Sequence, residues 1–119
     1  ARRNRKILGG AMHQAGFLAA AALHALDHNL PDLIRDHANA SKLAAALKDM
    51  KAGDVQISTN MLFFTPRDAN PDAVRSHMSA AGVRIGGQSP AIRMVLHRDV
   101  TDNSLDETIA AFRSYFEKD

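Results

Sequence analysis

Arg5-Lys6-Ile7-Leu8-Gly9-Gly10-Ala11-Met12-His13-Gln14-Ala15-Gly16 sets a basic cluster, a Gly-Gly turn and the start of an Ala-rich run end to end. The first nine residues hold four cations (Arg2, Arg3, Arg5 and Lys6) and no acid. The two glycines lack the Cβ that keeps a ligand away from the backbone. A helix opening at this turn aims free N–H groups at an anion, so phosphate is the natural guest.

The rest of the chain bounds what such a site can belong to. Its 119 residues suit one hydrophobic core, and 45% hydrophobic with 24% charged residues are ordinary globular values that argue against disorder. Cysteine is absent, which excludes disulfides and thiolate metal sites and fits a cytoplasmic protein. No run approaches the roughly 18 apolar residues of a membrane span, and no signal peptide is visible, so a soluble protein without a membrane partner is expected. The net charge of +2 is local: beyond residue 9, 11 basic residues face 13 acidic ones. A basic arm of this kind suits nucleic acid, but none of the five Phe and one Tyr is interleaved with it as a stacking platform requires, and no nucleic-acid partner is expected.

In chain order, Met12 to Asn29 is rich in Ala and Leu and predicts a helix, with the apolar surface around Ala19 to Ala22 wide enough to pack on more than one side. Asn29-Leu30-Pro31 breaks it. Asp32 to Lys51 predicts a second helix, carrying Leu33, Ile34, Leu43, Leu47 and Met50 at helical spacing and punctuated by Gly53. Val55 to Pro66 reads as one strand that begins alternating and ends fully buried. Asn70-Pro71 opens a helix that Gly82 ends. Val83-Arg84-Ile85 and Ile92 to Leu96 read as short strands around the turn from Gly86 to Pro90. Ser104-Leu105-Asp106-Glu107 has capping-box form, and Leu105, Ile109, Phe112 and Phe116 line one face of a last helix. The sum predicts an α+β fold, a small mostly antiparallel sheet covered by helices on one face.

The opening stretch resembles the pattern R-K-x-x-G-G-G-M-R-Q of the low-specificity L-threonine aldolases, with Ala11 where a third glycine is usual and His13 where an arginine is usual. The resemblance continues, in the family's order, through Asp36-His37-Ala38-Asn39-Ala40, Thr59-Asn60-Met61-Leu62-Phe63-Phe64 and Ile92-Arg93-Met94-Val95-Leu96-His97-Arg98-Asp99-Val100. It implies pyridoxal-phosphate chemistry on the aspartate-aminotransferase-like fold (fold type I), whose C-terminal small domain has such a sheet. On this basis residues 1–29 lead from a larger N-terminal domain and residues 30–119 form the small domain. The Schiff-base lysine and the ring-stacking histidine belong upstream, and none of Lys6, Lys42, Lys48, Lys51 or Lys118 stands in the matching context. No catalytic residue is therefore expected within these residues.

Arg93 sits inside an otherwise apolar strand, where a guanidinium must meet an anion or reach solvent. Pattern alone leaves both readings open; the resemblance makes it the arginine that binds the substrate's α-carboxylate. The resemblance likewise gives Lys6, with the Gly9-Gly10 turn, to the cofactor phosphate, although a solvated lysine among arginines is the plainer reading of the residue. His13 occupies a phosphate-side position, but imidazole is shorter than a guanidinium and carries no fixed charge, and a merely packed histidine fits as well. His24 and His28 have the spacing of a two-histidine metal site without a companion acid, and no metal is expected. His97 matches a family histidine and is read as structural support. Asp36 and His37, adjacent on a helix, point about 100° apart and do not pair.

The expected parent reaction is cleavage of L-threonine or L-allo-threonine to glycine and acetaldehyde, by a homo-oligomer (dimer or tetramer) in which these 119 residues alone are inactive. Another fold-type I pyridoxal-phosphate lyase or transaminase, and a small binding module with a basic arm, are the alternatives.

Overall fold

The computed structural model describes residues 1–67, 70–86 and 90–117. They form two compact units, Ala1–Pro31 and Asp32–Asp119.

In the N-terminal unit, the good helix formers Arg and Lys build a short helix, α1 (Arg2–Ile7), with Arg5 and Lys6 beside the carbonyl end where cations are favourable. Gly9 ends it at φ +78. The Gly9 N–H donates to the Lys6 carbonyl (3.2 Å) and the Gly10 N–H to that of Arg5 (2.8 Å), the paired bonds of a Schellman motif. The basic cluster is therefore itself helical, and the Gly-Gly turn closes a helix instead of opening one. The Ala-rich helix starts later than Met12, as α2 (Gly16–His28). No residue of α1 or α2 is buried, so the packing expected of the Ala19 to Ala22 surface is not made within this unit.

The C-terminal unit is an α+β layer, as the pattern predicts. α3 (Asp32–Asp49) buries Ala40, Leu43, Ala44, Ala46 and Leu47 on one stripe. It ends in a second Schellman motif, with Lys51 at φ 51, its N–H on the Lys48 carbonyl (2.9 Å) and the Ala52 N–H on that of Leu47 (3.1 Å). Gly53 thus does not stop the helix. It opens a strand, where a Cβ would lie 2.1 Å from the Thr65 carbonyl oxygen.

The single strand expected over Val55 to Pro66 is a hairpin, β1 (Gly53–Ser58) and β2 (Met61–Pro66), turning at Thr59-Asn60 with Thr59 at φ 56. Its second half alternates: Leu62 and Phe64 are fully buried, while Phe63 is exposed. α4 (Pro71–Ala80) begins as read, with the Asn70 side chain accepting from the Asp72 N–H (2.9 Å). It closes on Gly82 at φ +81 with the Val83 N–H on the Met78 carbonyl.

Of the two later strands, β3 (Ile92–Val95) forms and the Val83-Arg84-Ile85 strand does not; one bridge, Gly86 to Arg93, joins the segment to β3. The middle of the expected Gly86 to Pro90 turn (87–89) and Lys118 lie outside the described residues. The sheet is antiparallel, in the order β1-β2-β3. α5 (Asp102–Phe116) is capped by Thr101, three residues before the expected Ser104, the Thr101 hydroxyl accepting from the Ser104 N–H (3.2 Å).

The core lies between the inner sheet face and the helices. Val55, Leu62, Phe64, Ile92 and Met94 meet Leu43, Leu47, Val74, Met78, Leu105 and Phe112, with Ile109 and Phe116 packed at the margin. Phe64 meets Phe112 and Phe116 edge-on, at centroid distances of 5.8 and 5.9 Å.

Candidate functional site

The outer face of the sheet is left open, and it carries Arg93. β3 alternates, with Ile92 and Met94 directed into the core and Arg93 and Val95 outward. The same alternation puts Met61, Phe63 and Thr65 of β2 outward, and the register sets Phe63 directly opposite Arg93 and Met61 opposite Val95. On the other flank of Arg93 stands Gly86. The strand thus solves the problem of a cation in an apolar run by turning it to the solvated face. The Arg93 guanidinium makes no hydrogen bond or ion pair with any described residue. Its planar fork is free to hold a carboxylate by two parallel hydrogen bonds.

Other matched residues shape this unit. Asn60, in the hairpin turn, donates through Nδ2 to the Leu96 carbonyl (2.7 Å), and its own carbonyl accepts the Leu96 N–H (2.9 Å), fixing the end of β3 against the turn. Beyond β3, the Arg35 guanidinium donates to the Arg98 carbonyl (2.9 Å) and Arg98 approaches Asp32 at 3.8 Å, which ties this segment to the start of α3. His97 is exposed with Nδ1 3.6 Å from Asp99. Asp36 and Asn39 are buried on α3 while His37 is exposed, so Asp36 and His37 lie on different sides of the helix. A cavity of about 360 Å³ borders α5, β3 and the 82–86 segment, and Arg93 and Gly86 line it together with Leu43, Ile85, Met94 and Glu107.

In the N-terminal unit, the side chains of Lys6 and His13 are exposed and form no hydrogen bond or ion pair with any described residue. The amides of Gly9 and Gly10 are already used in closing α1. A Cβ on Gly10 would lie 2.9 Å from Arg5 Cγ, so this glycine is needed for the tightness of the turn. His13 lies in the irregular link before α2. Residues 1–26 include no acid. His24 and His28 stack at 4.3 Å, and the His28 Nδ1–H donates to the His24 carbonyl (3.0 Å), which removes one ring nitrogen from ligation.

Phe63 and Gly86 are the neighbours of Arg93 that reading along the chain does not single out. Their placement depends on the β2–β3 register and on the bridge from Gly86, which no local signal along the chain gives.

The family model described as beta-eliminating lyase matches residues 1–69, and the chain belongs to that family. Among curated proteins it is similar to the low specificity L-threonine aldolase of Escherichia coli strain K12, with 40% identity over 113 residues, 95% of this chain and 34% of that protein. It is also similar to low-specificity L-threonine aldolase 1 of Arabidopsis thaliana, with 39% identity over 116 residues covering 92% of this chain and 32% of that protein. A probable low-specificity L-threonine aldolase of Schizosaccharomyces pombe strain 972 is 26% identical over 86% of this chain and 26% of its own length. The resemblance carried by the four motifs is thereby borne out. The chain spans about a third of the length of the first two relatives.

Proposed function

We propose that this chain is the C-terminal part of a pyridoxal-phosphate-dependent aldolase that cleaves L-threonine or L-allo-threonine to glycine and acetaldehyde. The observation that carries the reading is the 40% identity, across nearly all of these residues, to a protein named for that activity. Arg93, on the open sheet face and unpaired among the described residues, supports it, because an amino-acid substrate brings an α-carboxylate that a guanidinium fork matches.

The basic segment fits a phosphate group: Lys6 is exposed and unpaired among the described residues, and residues 1–26 include four cations and no acid. Lys6 would hold the cofactor phosphate through its ammonium, with His13 beside the link and Gly9 and Gly10 shaping the turn. Bound pyridoxal phosphate supplies an electron sink for the pair released as the Cα–Cβ bond breaks. Arg93 contributes orientation, fixing the carboxylate so that the bond to be broken keeps one direction. The protein is a cytoplasmic homo-oligomer in this reading, a dimer or tetramer.

Arg93→Ala in the full-length enzyme tests the assignment. Loss of a charge-assisted hydrogen-bonded pair is worth about 1.5–3 kcal/mol, so the KM for L-threonine rises about 10- to 150-fold. An unchanged KM overturns the role given to Arg93. The 119-residue chain by itself releases no glycine from threonine, and measurable release refutes that part.

A further inference from the structure

Arg93 has two lateral neighbours on the open face of the sheet, and they differ in kind. Residues directly paired in an antiparallel ladder direct their side chains to the same face, with Cβ atoms about 4.5–5.5 Å apart. On one flank the partner is Phe63, a large ring that remains 38% exposed. On the other flank it is Gly86, which presents bare backbone.

The backbone does not require that glycine. Gly86 is not among the residues of positive φ, and among the described residues a Cβ built on it meets the Arg93 carbonyl oxygen at 3.5 Å, an ordinary contact. Gly53 differs, since a Cβ there would collide with Thr65, and so do Gly9 and Gly82, which hold left-handed φ values. Among the described residues, what the missing side chain at 86 does provide is space beside the guanidinium.

We infer that the Arg93 site is one-sided, with Phe63 walling one flank of the guanidinium and Gly86 keeping the other open as the approach for the substrate's α-carboxylate. This rests on the reading of Arg93 as the carboxylate ligand. Standing directly opposite Arg93 in the ladder, Phe63 would limit the swing of the arginine side chain toward β2, which biases the fork toward residue 86. Phe63 is a positioning residue in this scheme, and Gly86 sets what reaches the fork. The occupant is a small carboxylate, because the guanidinium has no anionic partner among the described residues and the cross-strand residue beside it is carbon.

The test compares Gly86→Asp with Gly86→Asn in the full-length enzyme with pyridoxal phosphate bound. The two side chains have nearly equal volume and differ in charge. An aspartate at this position places a carboxylate beside Arg93 and competes with the substrate. The KM for L-threonine is expected to be about two- to five-fold higher for Asp than for Asn, with kcat within two-fold. The difference shrinks as salt is raised from about 0.02 to about 0.5 M, and it vanishes when Arg93→Ala is added to both. Phe63→Ala raises KM about two- to five-fold and Phe63→Leu restores most of it, a split that a general loss of folding would not give.

Equal KM values for Gly86→Asp and Gly86→Asn overturn the inference while leaving Arg93 as a carboxylate ligand. Should Gly86→Asp fail to fold, the Phe63 pair decides: equal KM for wild type and Phe63→Ala overturns the one-sided site. An Arg93→Ala enzyme with unchanged KM removes the carboxylate reading itself, and the inference falls with it.

Discussion

Gly53→Ala is the substitution on which the architecture of the C-terminal unit makes its most exposed prediction. As left-handed helix punctuation, Gly53 would lose about 1–2 kcal/mol on substitution by alanine, as Gly82 does. As the first residue of β1 it has no room for one. The added Cβ would lie 2.1 Å from the Thr65 carbonyl oxygen, 2.8 Å from the Arg67 nitrogen and 2.9 Å from Pro66 Cα. These are backbone atoms of the paired strand and its continuation, so no side-chain rotation relieves the overlap.

Reaching an ordinary contact of about 3.4 Å from 2.1 Å requires the start of β1 and the end of β2 to separate. That movement breaks the bond from the Arg67 N–H to the Ala52 carbonyl, now 2.8 Å. Overpacking of about 1–3 kcal/mol and one lost backbone hydrogen bond of about 0.5–1.5 kcal/mol give an expected loss of about 2–4 kcal/mol. A unit of this size has about 4–13 kcal/mol in all, so the effect is large. Urea unfolding followed by far-ultraviolet circular dichroism reads it as a fall in midpoint of about 1–2 M with the slope unchanged. Gly82→Ala is the control, a left-handed glycine whose Cβ meets nothing within 4 Å, and it costs about 1–2 kcal/mol. A loss for Gly53→Ala no larger than that for Gly82→Ala refutes the close-approach argument.

Phe112 is fully buried against Phe64 and near Phe116, so Phe112→Ala costs about 3–5 kcal/mol in the same assay while Phe112→Leu costs about half of that or less. Thr101→Ala removes the side-chain acceptor at the start of α5 and lowers stability by about 1 kcal/mol; Ser104→Ala, at the position first read as the cap, changes it by less than half of that. Lys6→Ala weakens cofactor retention by the full-length enzyme about ten-fold in equilibrium dialysis of pyridoxal phosphate, and equal retention by wild type and variant removes Lys6 from the phosphate site.

Much of the C-terminal unit is legible along the chain because its signals are local. The apolar spacing of Leu43 and Leu47, the Asn70-Pro71 start and the Leu105, Ile109, Phe112, Phe116 stripe each act within a few turns of helix, and each forms as read. Readings fail where a local signal had two physical uses. Glycine marks helix ends and close approaches alike, and at Gly53 the second use prevails because Lys51 has already taken the left-handed position. The Gly9-Gly10 pair invites a helix start, yet the arginines and lysine before it are good enough helix formers to make it a helix end. The hairpin is hidden because Thr59 makes the tight turn at positive φ without the usual Asn-Gly signal.

The sequence by itself therefore determined the α+β class, the places of α3, α4 and α5, the family and the candidate residues Lys6, Gly9, Gly10, His13 and Arg93, since propensity, periodicity and motif order all run along the chain. Tertiary structure alone decided that Arg93 faces out from the sheet between Phe63 and Gly86. Those residues lie 30 and 7 positions away in sequence, and they meet only because strand pairing fixes register and a one-residue slip would turn each side chain to the opposite face.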